Sequence, residues 1–160
     1  MSKQHHYTTG LRWTGNQGTG TSNYKDFQRS HSIKVSGKPE IQGSSDPSFR
    51  GDKTKYNPEE LFLSSLSSCH MLWYLHLCAV NEVRVVDYTD QATATMEENT
   101  DGGGKFIEVI LHPKVIVEEQ GMIEKAMALH KEANEKCFIA NSVNFKVIHR
   151  PSCKVSNSVD

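Results

Sequence analysis

Apolar and polar positions change rhythm several times along the chain. From Tyr7 to Trp13 and from His31 to Ser36, apolar side chains fall two apart, Leu11 and Trp13 in the first stretch and Ile33 and Val35 in the second. That is the period of a strand. Between them NQGTGTSN, Asn16 to Asn23, is turn chemistry. Ile41 to Tyr56, punctuated by Pro47 and Gly51, has no period and reads as an irregular loop.

The rhythm then becomes helical. Asn57 is a good N-cap, and Pro58 suits the first helical position because it has no N–H to leave unsatisfied. Glu59 and Glu60 put negative charge where the helix dipole favours it, by about 0.3–1 kcal/mol each. Glu60 can also accept from the Asn57 N–H, closing a capping box. The helix is expected to run to about Val80. From Leu61 onward its apolar residues point to every side, the mark of a helix buried in a protein core or an oligomer core. Ser64, Ser65, Ser67 and Ser68 are small enough to let another backbone approach.

Val83 to Met96 and Phe106 to Glu118 read as two strands joined by a hairpin at NTDGGGK, Asn99 to Lys105. Pro113 predicts a bulge or an edge position in the second. Met122 to Lys136 predicts a second helix, with Met122, Ala126, Leu129 and Ala133 in one stripe and Cys137 closing it. Val143, Phe145 and Val147 alternate as a last strand. The order is strands, helix, strands, helix, strand: an α+β class with largely antiparallel pairing.

A chain of 160 residues is long enough for one domain with a real core. We expect a single domain over 1–160, with 1–6 and 154–160 as flexible ends. With 18 basic and 19 acidic residues the formal charge is −1. That balance gives no nucleic-acid footprint and no polybasic membrane surface. No apolar run is long enough to span a bilayer, and MSKQHHYTTGLRW has no apolar signal core. The setting expected is the cytoplasm, where Cys69, Cys78, Cys137 and Cys153 start as thiols. None of them forms a CxxC pair, so no zinc or thioredoxin signature is present.

Cys69 follows the small serines in the apolar helix. From 69 to 76 a helix turns about 700°, so His76 lies nearly over Cys69, while Cys78, about 900° on, faces away. A partner for Cys69 must come from elsewhere, and Cys137 and Cys153 are the choices. A free cysteine in such a helix is either a small hydrophobe or a nucleophile, and a nucleophile needs a cation near it to form the thiolate. Arg50, in SFRGDK before the helix, is the best-placed cation, and Glu59 is the carboxylate to hold it. Their plainer readings are a solvated loop charge and dipole capping. Two residues do not make a metal site, so His76 reads as a satisfied interior residue and no metal is expected. His130 reads as packing, Cys78 and Cys153 as structural, and His5 and His6 as terminal.

The helix start Asn-Pro-Glu-Glu-Leu, a cysteine ten residues after the first glutamate, and a second cysteine ending a later helix resemble the OsmC/Ohr family of thiol peroxidases, in its OsmC-like branch. SFRGDKTKYNPEELFLSSLSSCHM, FIEVILHPKVIV and LHKEANEKCFIANSV carry the likeness, which extends over about residues 7–153. Phe138 follows the second cysteine, where many members have proline. His70 follows the first, where an aromatic residue is common.

The resemblance implies antiparallel sheets wrapped around central helices in an intertwined homodimer. It implies Cys69 as the peroxidatic thiolate and Cys137 as the resolving thiol. Glu59 would be the motif glutamate, and Arg50 the arginine bonding that glutamate and the reactive sulfur, with Arg29 and Arg12 as the other candidates. The substrate would be an organic hydroperoxide, or hydrogen peroxide less favourably, in an apolar pocket lined by Leu66, Trp73 and Phe138. A lipoyl-type or other small dithiol would reduce the Cys69–Cys137 disulfide, with no haem, flavin or metal cofactor. The competing expectation is a ligand-binding or redox-sensing protein on the same fold without peroxidase turnover.

Overall fold

Strand pairing begins at Gly10 and not at Tyr7, in the computed structural model that describes residues 3–156. The chain divides into two units, Met1–Phe62 and Leu63–Asp160. In the first, β1 (Gly10–Trp13), β2 (His31–Lys34) and β3 (Ile41–Gly43) form an antiparallel sheet with β2 at its centre. Between β1 and β2 the Asn16 side chain accepts from the N–H groups of Gly18 (2.9 Å) and Gly20 (3.0 Å). Both glycines hold positive φ, so this turn needs them. The stretch read as an irregular loop supplies β3, a one-turn 3-10 helix at Pro47–Phe49, and a bridge from Gly43 to Tyr56.

Helix α1 (Pro58–Val80) starts where its caps require. The Asn57 N–H donates to Glu60 Oε2 at 3.1 Å, and the Glu60 N–H donates to Asn57 Oδ1 at 2.8 Å, the reciprocal box that satisfies two orphan donors. The helix ends at a left-handed residue, Glu82 (φ 60°). The Val83 N–H then returns to the Cys78 carbonyl at 2.9 Å. Within this chain one stripe of α1 is buried, at Leu66, His70, Tyr74, Leu77 and Cys78. Another is open: Leu72 is 63% exposed and Val80 62%.

In the second unit each long strand of the expected hairpin is two. Val83 to Met96 divides into β4 (Val85–Thr89) and β5 (Thr93–Glu98), and Phe106 to Glu118 into β6 (Gly104–Leu111) and β7 (Lys114–Val117). The cause is local. Pro113 has no N–H for a ladder, and Asp90 takes the His112 N–H at 2.7 Å while accepting from Ser67 Oγ at 2.5 Å. Pro113 thus lies between strands, not at a bulge or an edge. One half of the hairpin, β5–β6, joins β8 (Val147–His149); the other, β4–β7, joins β9 (Ser152–Val155).

Both added strands are parallel to their neighbours. The second unit's sheets are therefore mixed, while pairing over the described residues stays largely antiparallel, as expected. The last predicted strand is also corrected: Val143 and Phe145 precede it, and a 3-10 turn occupies Ala140–Ser142. Lys154 and Val155, expected in a flexible end, pair with Ile116 and Val117. Residues 3–6 carry no regular structure, while 1–2 and 157–160 lie outside the described residues.

Helix α2 (Ile123–Lys136) buries Ala126, Leu129, His130 and Ala133. These alanines and Leu129 pack with Tyr74, Leu77 and Cys78 of α1 and Val115 and Val117 of β7 to form the core of this unit. Each large apolar side chain so buried is worth about 1.5–3 kcal/mol. No helix among the described residues is long and apolar enough to cross a membrane.

Candidate active site

Helix α2 stops at Cys137, whose backbone turns extended (φ −66°, ψ 112°). The stop puts the thiol inward. Cys137 is buried, and its Sγ accepts the Ala140 N–H at 3.4 Å. The neighbour it meets is Cys69, half-buried on α1 and near enough to act on the Cys137 thiol. Burial, and then the neighbouring Cys69 thiol, push the Cys137 thiol above its ordinary value, so Cys137 keeps its proton at neutral pH. All four cysteines are free. Of the two cysteines left open by the helical geometry, Cys137 is the one that lies beside Cys69.

A second contact sits beside the thiol pair. Trp73, one helical turn beyond Cys69, meets Phe138 edge-on at 5.7 Å, and Lys136 lies 6.0 Å over the Trp73 ring. Phe138 is exposed and Trp73 half-buried, whereas Leu66 is closed off at 1% exposure. Trp73 and Phe138 thus flank the thiols with open apolar surface, and Leu66 packs in the interior. His76 is not the interior residue expected: it is exposed, edge-on to Trp73 at 5.7 Å.

In the first unit, Glu59 is half-buried at the second position of α1, and its Oε2 is buried with no hydrogen-bond partner. Arg50 is exposed, in the left-handed conformation (φ 64°) that ends the 3-10 turn. The two do not bond to each other. Arg29 is tied down, donating to the carbonyls of Phe27 (2.6 Å) and Tyr24 (2.8 Å). Arg12 lies on the exposed strand β1.

Sequence reasoning missed a buried cluster behind the thiols. His70 Nε2 and His130 Nδ1 are 3.0 Å apart, and the His149 ring lies 4.2 Å from that of His70. Tyr74 stacks on His130 at 3.9 Å. Burial holds the His70 imidazole down at about 3 and that of His130 at about 4, so both are neutral at pH 7. His70 and His130 are 60 residues apart, and only the inward phase of each helix could have signalled the pair. Among the described residues no group of three or more His, Cys, Asp or Glu is placed to hold a metal ion. Cys78 and Cys153 belong to the core and its margin, and burial raises both thiols.

A family model described as OsmC-like protein matches residues 51–150. An OsmC-like protein of unknown function from Vibrio cholerae has a solved structure similar to this one, with a TM-score of 0.84 at 27% identity, over 93% of this chain and 100% of that one. An organic hydroperoxide resistance protein from Elizabethkingia anophelis shares the fold at 20% identity and a TM-score of 0.66, over 96% and 100% of the two chains. The organic hydroperoxide resistance protein OhrB of Bacillus subtilis does so at 20% identity and 0.60, over 92% and 98%. No curated protein sequence matches.

Proposed function

Because the chain belongs to the OsmC-like family, we propose that it is a cysteine-based peroxidase that reduces organic hydroperoxides to alcohols. The observation that carries this reading is the placement of Cys137 beside Cys69, where Cys137 keeps its proton and Cys69 is the more open of the two. The name of the Elizabethkingia relative agrees with it.

The Cys69 thiolate attacks the distal oxygen of ROOH. The O–O bond breaks, the alkoxide takes a proton and leaves as ROH, and Cys69 becomes a sulfenic acid. The Cys137 thiol then attacks that sulfur, water leaves, and the Cys69–Cys137 disulfide forms. An external dithiol of lipoyl type restores both thiols by exchange. Arg50 is assigned the developing negative charge on the peroxide oxygens. Glu59, whose buried oxygen has no partner, is assigned the orientation of that guanidinium. Trp73 and Phe138 give the substrate's organic group an apolar flank. The open stripe of α1 at Leu72 and Val80 is assigned to a second copy of the chain, in a homodimer.

The test is to treat reduced protein with a stoichiometric amount of cumene hydroperoxide, alkylate, digest and map the thiols. A linked Cys69–Cys137 peptide with Cys78 and Cys153 alkylated is expected. If all four cysteines remain alkylated after prolonged exposure, the peroxidase reading fails and the chain is a ligand-binding relative.

A further inference from the structure

In the first unit a cleft of about 310 Å³ is lined by Lys25, Arg29 and Arg50, with Asp52 as its one acid. We propose that this cleft binds a small oxyanion, a carboxylate or phosphate group. The cleft shares Arg50 with the chemistry proposed above, but Lys25, Arg29 and its hydroxyls have no part in that chemistry, and anion binding is read without peroxide.

The charges in the cleft are out of balance. Asp52 is already spent: it accepts from the Thr54 N–H at 3.0 Å and from Thr54 Oγ1 at 2.7 Å, and it faces Lys55 Nζ at 3.7 Å. Lys25, Arg29 and Arg50 make no ion pair among the described residues. Three like charges around one cleft repel each other, and an anion among them removes that repulsion.

The cleft is also built in advance. The Arg29 guanidinium is fixed by its two carbonyl acceptors and by the rings of Tyr24 (4.4 Å) and Phe27 (4.2 Å) on which it packs. Two of its five N–H groups are used and three remain. Arg50 is presented by a closed turn: its N–H bonds the Pro47 carbonyl at 3.0 Å, and the Gly51 N–H bonds the Asp46 carbonyl at 3.0 Å. A Cβ on Gly51 would overlap the Ser45 carbonyl, so the turn has room for glycine alone. A non-glycine residue with positive φ is strained, and Arg50 at φ 64° is held so by the turn around it.

Two buried hydroxyls also line the cleft, Ser30 at 5% exposure and Ser44 at 1%. Ser30 Oγ accepts from Lys55 Nζ at 2.8 Å, and Ser44 Oγ accepts from the Asp52 N–H at 3.0 Å. With those acceptor positions filled, each hydroxyl retains its own proton to donate. Cationic forks and hydroxyl donors are what carboxylate and phosphate oxygens require. The volume, at the low end for small-molecule sites, leaves room for a short organic tail.

The chain carries its own reporter. The Trp13 indole N–H donates to the Gln28 carbonyl at 2.8 Å, and its ring meets Phe27 edge-on at 5.8 Å. Gln28 and Phe27 both line the cleft. The experiment titrates the intact, reduced chain with inorganic phosphate, and separately with hexanoate. Sodium chloride holds the ionic strength constant while the Trp13 indole N–H resonance is followed.

A saturable shift is expected, weakened about tenfold or more by Lys25→Ala and by Arg50→Ala, since each removes a charged contact to the anion. Saturation by hexanoate alone assigns a carboxylate ligand, and saturation by phosphate alone a phosphate. No saturable shift with either anion, or identical titrations in wild type and Lys25→Ala, overturns the proposal. Lys25 is an exposed side chain, so its loss tests the site without threatening the fold.

Discussion

Mild acid should destabilise this chain through His70 and His130. Unfolded, each imidazole titrates near 6.5; folded, burial holds them at about 3 and about 4. A lowered folded value means that the unfolded chain takes up the proton first. The contribution to stability is therefore complete above the unfolded value and drains away as the pH falls from about 6.5 toward the folded values. At about 1.4 kcal/mol per pH unit per group, the pair loses about 3–4 kcal/mol between pH 7 and pH 5. That is a large share of a typical domain's 5–15 kcal/mol.

The groups facing the pair do not rescue it. His149 from β8 would add like charge, and Tyr74 from α1 is itself held neutral by burial. Asp90 favours the charged form of His149, the outer member. The perturbation is His130→Phe, which keeps a ring against Tyr74 and removes one titrating site. Its loss of the His70 hydrogen bond costs about 1–3 kcal/mol at neutral pH, but that offset leaves the slope with pH to be compared. Urea unfolding followed by far-ultraviolet circular dichroism, at several pH values and one protein concentration, should show the variant losing about half as much stability as wild type across that window. Equal losses in the two proteins would refute the reasoning.

Three other outcomes follow from the geometry. Asp90→Ala deprives the His112 N–H and Ser67 of their shared acceptor and should cost about 2 kcal/mol, read as a lower urea midpoint. Gly51→Ala drives a methyl into the Ser45 carbonyl; it should destabilise by about 2 kcal/mol or more and shift the Trp13 indole resonance even without anion. On the proposed peroxidase chemistry, Cys137→Ser leaves a Cys69 sulfenic acid without a resolving thiol. A sulfenic-specific probe should then label Cys69 after peroxide, and an absence of label would count against Cys69 as the attacking group.

Much of this protein is set by local chemistry that a sequence states outright. Asn57, Pro58 and Glu60 define the start of α1 because capping acts over three or four residues, and the box closes as those residues require. The stripe of α2 and the end of that helix at Cys137 follow likewise from helical period. The cysteine spacing was legible too, since Asn-Pro-Glu-Glu-Leu fixes Cys69 on α1, and the family follows from such stretches.

Tertiary structure decided what depends on groups distant in the chain. The hairpin divides between two sheets because Asp90 claims the His112 N–H, a bond across 22 residues. The parallel pairing of β8 and β9 depends on which edges lay open once β6 and β7 had separated, and alternation cannot show that. Cys69 had two possible partners by spacing, and the end of α2 brings Cys137 to it. The imidazoles of His70, His130 and His149 are ordinary polar residues in the sequence; burial against one another makes them a neutral cluster. Lys25, Arg29 and Arg50 were loop charges until the turns carrying them folded around one cleft. Hydrophobic period and capping are properties of neighbours along the chain, whereas pairing, burial and charge convergence are properties of neighbours in space.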